Sequence, residues 1–78
     1  MDDIDEIRFR LRISKLEAKL ALTQIEAAAL TREIRSPLTS APRRLQATDL
    51  RDAALAESKT LQANLDALRT QFPDLARH

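Results

Sequence analysis

Few side chains in this 78-residue chain suit covalent or acid–base chemistry. It has no cysteine and no tyrosine, and its single histidine is the last residue, His78. Serine and threonine hydroxyls are present, but a nucleophile needs a base held beside it, and no base is in prospect. Asp2, Asp3, Asp5 and Glu6 could gather a divalent cation. Their spacing is not that of a calcium loop, however, and the chain lacks the glycine such a loop turns on. They fit better at the start of a helix, where the macrodipole favours anions. Asp49, Asp52, Glu57 and Asp66 show no Glu-x-x-His pattern of a metal-binding bundle. The expectation is a protein without catalysis, metal or cofactor.

Binding chemistry is what remains. Arg8, Arg12, Lys15 and Lys19 recur at helical spacing, and Arg43 and Arg44 follow the central proline-containing break. These six are the candidate contacts to phosphate or to an acidic partner. Against nucleic acid stand the lack of interleaved aromatics, of a zinc pattern and of a glycine-rich phosphate loop. The 13 basic and 12 acidic residues leave a net charge of only +1, which compels no polyanion partner. A solvated flank is the plainer use of such a stripe.

The elements that must carry these residues follow from composition and spacing. Leucine and alanine dominate, while valine and tryptophan are absent, so helix formers outnumber strand formers. Two of the three prolines sit in Ser36-Pro37-Leu38-Thr39-Ser40-Ala41-Pro42. Pro37 pushes Ser36 out of helical geometry and stops the first helix. The spacing predicts an all-α, antiparallel two-helix hairpin, coiled-coil-like and associating into a four-helix bundle. Residues 1–78 form one domain: helix one about 3–35, a turn about 36–41, helix two about 42–72 and a loose tail at 73–78. Two starts are open for helix two, a cap at Ser40 with Pro42 in the first turn, or a cap near Thr48.

Phe9, Ile13, Leu16, Leu20, Thr23, Ala27, Leu30 and Ile34 alternate steps of four and three, the rule of a coiled-coil seam. Helix two offers Ala47, Leu50, Ala54, then Glu57 or Ser58, Leu61, Leu65, Leu68, Phe72 and Leu75. A contact at Glu57 would make a stutter. Folding about Leu38 sets Phe9 near Leu68, Leu16 near Leu61, Thr23 near Ala54 and Ala27 near Leu50. A smaller stripe, Ala56, Thr60, Ala63 and Ala67, lies elsewhere on helix two.

Helix one carries a second stripe on its opposite side: Ile4, Ile7, Leu11, Ser14, Ala18, Ala21, Ile25 and Ala28, widened by Leu22 and Ala29. A surface helix in a lone hairpin needs one apolar stripe. Ile4, Ile7, Leu11, Ala18, Ala21, Leu22, Ile25 and Ala28 are therefore the expected protein interface. The function expected is a small protein–protein interaction module, an adaptor, assembly factor or chaperone-like subunit. It would pack on its own copy, as a homodimer, or on a partner helix. A nucleic-acid-binding regulator using the basic stripe and tip is the alternative.

The open end is acidic and the tip basic, so two antiparallel hairpins would set each acidic end beside a basic tip, with Arg43 and Arg44 among its cations. In size and shape alone the architecture is similar to small helical-hairpin chaperones of bacterial secretion systems and to many short phage-encoded proteins. No apolar run approaches the ~20 residues that cross a bilayer, and the acidic start is unlike a targeting leader. A cytoplasmic protein without a membrane partner is expected.

Overall fold

A computed structural model describes residues 3–72. They form two helices, α1 at Asp3–Arg35 and α2 at Ala41–Gln71, which pack against each other as a hairpin. The molecule is a rod of 56 × 16 × 15 Å. Its Cα radius of gyration is 17.0 Å, against roughly 11–12 Å for a compact domain of this length. Each helix therefore has a single neighbour, and most of its circumference has none. Residues 1–2, the tail at 73–78 and the seam residue Leu75 lie outside the described residues.

The connection is built from short hydrogen bonds. Ser36 N–H donates to the Glu33 carbonyl at 3.2 Å, and Thr39 N–H to the Ser36 carbonyl at 3.2 Å. The Thr39 hydroxyl also donates to the Glu33 carbonyl, at 2.6 Å, so the last turn of α1 keeps partners for a carbonyl that the helix abandons. No described residue has positive φ, which is why this turn does without glycine.

Of the two starts open to α2, the structure takes the earlier. Ser40 is extended (φ −66°, ψ 156°), and its hydroxyl accepts from Arg43 N–H at 3.3 Å. Pro42 sits in the first turn, where its missing N–H would be unpaired anyway. Two arginines at a helix N-terminus oppose the macrodipole. Here the Arg43 guanidinium is held by both carboxylate oxygens of Glu33, with Nη2 to Oε1 at 2.9 Å. Arg44 Nη2 donates to the carbonyls of Ser36 and Thr39, each at 3.2 Å.

All eight positions of the first α1 seam turn inward: Phe9, Thr23, Ala27 and Leu30 are buried, and Ile13, Leu16, Leu20 and Ile34 half-buried. Thr23 is the polar member, and its hydroxyl donates to the Lys19 carbonyl at 2.7 Å, so it enters the core satisfied.

The α2 seam departs from expectation at two places. Leu50 is 43% and Phe72 39% exposed; Arg51 is half-buried in place of Leu50, and of the two contacts left open after Ala54, Ser58 is half-buried and Glu57 exposed. The inward line runs Ala47, Arg51, Ala54, Ser58, Leu61, Leu65 and Leu68, which alternates four and three without a stutter. Keeping that rhythm holds α2 in step with α1 along the whole rod. Arg51 is tolerated because its stem is aliphatic, and its Nη2 lies 3.3 Å from Asp52 Oδ1. Its Nε is buried without a hydrogen-bond partner.

The register centres on the turn. The Glu33–Arg43 and Lys19–Glu57 ion pairs are each equidistant from Leu38 along the chain. At the open end Phe9 meets Phe72 edge to face, ring centroids 5.1 Å apart. Phe9, Leu68 and Phe72 together floor a shallow concavity there.

Candidate functional site: the outer face of helix α1

The seam toward α2 uses one side of α1. Steps of three and four place Ile4, Ile7, Leu11, Ser14, Ala18, Ala21, Ile25 and Ala28 on the side facing away from α2. All eight are exposed in the single chain. Ile4, Ile7, Leu11, Leu22 and Ile25 each leave between 56% and 67% of their surface open. The stripe extends for about 36 Å at 1.5 Å per residue.

Other large apolar side chains are exposed without forming a line. Leu45, Leu50 and Leu55 on α2 are all exposed, but each is five residues from the next. Five helical steps rotate about 140°, so the three point to different sides. They were not singled out as a surface from sequence, and nothing gathers them into one. The Ala56, Thr60, Ala63 and Ala67 stripe is exposed as well. It presents small side chains only, and Thr60 turns its hydroxyl back to the Ala56 carbonyl at 3.2 Å.

The basic residues divide into two groups. Arg43 and Arg44 serve the turn, and Lys19 Nζ lies 3.4 Å from Glu57 Oε1. The Arg43 hydrogen bonds hold the Glu33 carboxyl below its usual value, and Glu33 in turn raises the arginine. Arg8, Arg12 and Lys15 are exposed beside the outer stripe. Arg8 and Arg12, with Asp5, also rim the open-end concavity of about 310 Å³ over Phe9, Leu68 and Phe72. Arg10 is taken by Glu6 one turn earlier, at 2.6 Å.

The clasp between Glu33 and Arg43 was missed by sequence reasoning. Part of its signal was available: two opposite charges at equal distance on either side of Leu38 come to one level of the rod if the chain folds there. Among the described residues no group of three or more His, Asp or Glu side chains is placed to hold a metal ion, and no helix is long and apolar enough to cross a membrane.

Chemically, then, the face can bury apolar surface and order flanking charges. Its large side chains gather toward the start of α1 and its small ones toward the end, with Leu22 and Ile25 among them. No protein-family model, no curated protein and no solved structure matches this chain.

Proposed function

We propose that this protein is a non-catalytic protein–protein interaction module, an adaptor, assembly factor or chaperone-like subunit, that docks a helix onto the outer face of α1. The occupant is its own copy or a helix of similar length from a partner. With a second hairpin the product is a four-helix assembly. One observation carries the reading: a continuous apolar stripe, open along α1, that no element of the hairpin covers.

Scattered apolar residues are ordinary on protein surfaces, but a contiguous patch marks an interaction site. Fully burying one Leu or Ile side chain is worth roughly 1.5–3 kcal/mol, so covering even part of five such side chains supplies a substantial driving force. A helix apolar on two sides is suited to lie between two neighbours. The nucleic-acid alternative draws less support, since Arg43 and Arg44 are occupied in the turn and Lys19 is paired across the hairpin.

Two substitutions test the reading. Leu11→Glu, on the outer stripe, is expected to weaken association at least tenfold in analytical ultracentrifugation while far-UV circular dichroism stays helical. Leu16→Glu, in the inner seam, is expected to lose helicity itself. Equal loss of helicity in both, or undiminished association of Leu11→Glu, would refute it.

A further inference from the structure

We infer that the occupant of the α1 outer face is a second copy of this chain lying antiparallel, α1 against α1 about a two-fold axis near Leu16, with both α2 helices on the outside. This rests on the reading of that face as a docking surface, and goes beyond it by naming the partner and its direction.

Side-chain size points to the direction. The first half of the stripe is bulky, with Ile4, Ile7 and Leu11, and the second half is mostly small, with Ala18, Ala21 and Ala28. A reversed copy sets Ile4 over Ala28 and Leu11 over Ala21, with Ser14 over Ala18 as a small pair and Ile7 over Ile25 as the one pair of large side chains. Large then fills small at Ile4–Ala28 and Leu11–Ala21, two of the four distinct pairs. A parallel copy would set bulk against bulk at one end and alanine against alanine at the other, which holds the helices apart and leaves the small end loosely packed.

Charge points the same way. Continuing the stripe by four and three residues from Ala28 leads to Arg32 and Arg35, both exposed and with no ion-pair partner among the described residues. The stripe begins in the acidic first turn of α1, with Asp3 and Asp5. Antiparallel packing in this register brings that acidic turn nearest to the other copy's Arg32, whereas parallel packing sets acid beside acid. The tip cation nearest the partner is thus Arg32 rather than Arg43 and Arg44, which the turn already holds.

Area is sufficient. The chain exposes 5909 Å², against roughly 4,800 Å² for a compact monomer of 8.8 kDa. The excess, roughly 1,100 Å², is no smaller than the ~800 Å² that each partner buries in a standard interface.

The chain has no cysteine, so introduced thiols report geometry directly. Leu11→Cys and Ala21→Cys chains are prepared separately, and the wild-type mass is measured by sedimentation equilibrium. The expected result is a wild-type dimer, rapid disulfide coupling when the two variants are mixed, and none in either variant alone. Antiparallel packing brings Leu11 of one copy to Ala21 of the other, within disulfide reach, and separates the two copies of either position by about 15 Å along the axis. Coupling of Leu11→Cys to itself would overturn the direction. A wild-type dimer in which the mixture fails to couple would overturn the register, and both results leave the docking face standing if Leu11→Glu still abolishes association. A wild-type monomer up to near-millimolar concentration would overturn the second copy as the occupant. In that case the docking face stands or falls on binding to a partner helix, again read by its loss in Leu11→Glu.

Discussion

The two helices have nearly equal length and very different faces. In α2 only one apolar line is continuous: Ala47, Ala54, Leu61, Leu65 and Leu68 are buried against α1, and elsewhere Leu45, Leu50 and Leu55 stand apart among alanine, threonine and charge. In α1 it is almost balanced about the axis, because Phe9 through Ile34 line one side and Ile4 through Ala28 the other. An ordinary surface helix looks like α2. The pattern of α1 is that of a helix with neighbours on both sides, yet the hairpin supplies only one. The difference shows how two helices of similar composition can be assigned different tasks by where their apolar residues fall.

That contrast breaks first at the inner seam. Leu65 is 1% exposed, and truncating a buried leucine costs about 2–5 kcal/mol. A hairpin of this size rarely has more than about 3–5 kcal/mol in total. Leu65→Ala should therefore leave the chain largely unfolded at 37 °C by circular dichroism, whereas Leu22→Ala on the outer face should keep its helices. Similar thermal midpoints for the two would erase the distinction between the faces.

A smaller effect is expected at the turn. Ser40→Ala removes the hydroxyl that accepts Arg43 N–H and should lower stability by about 1 kcal/mol in urea titration. An unchanged midpoint would mean that the clasp of Glu33 on Arg43 holds the start of α2 without its cap. That clasp has a pH signature. Glu33 has a depressed pKa, so its contribution is complete above the ordinary carboxylate value of 4.5 and is lost as pH falls through the depressed value. In Glu33→Gln that part of the acid dependence should vanish, with a smaller loss of midpoint than in Ser40→Ala because the pair is solvent-screened. An identical acid profile in the variant would show that the clasp contributes nothing.

Smallest of all should be Ala63→Glu, on the outer side of α2. It adds a charge to an exposed stripe of small residues and should change neither helicity nor association. Lost association in this variant would move the contact surface from α1 to α2.

Much of the hairpin was legible because its signals are local. Pro37 ends a helix through its own ring, Ser40 caps one through its own hydroxyl, and a four–three rhythm needs only the helical period. The α2 seam was legible only in part. From Ala47, Leu50 is one step of three and Arg51 one step of four, and hydrophobicity chose Leu50. The helix chose Arg51, because the register set at Leu61, Leu65 and Leu68 propagates along a stiff rod and an arginine stem is greasy enough to accept it. The outer stripe was visible as a pattern, but whether α2 would cover it depended on which of two seams α1 turned inward.

By itself, then, the order of residues determined two long helices, a reversal near Leu38 and two apolar stripes on α1, since each is dictated by neighbours within a few positions. Which α2 residues joined the core, which arginines were drawn into the turn and which stayed open was decided only by packing. Those outcomes depend on two helices sharing one register over their whole length, a condition that no short stretch of chain contains.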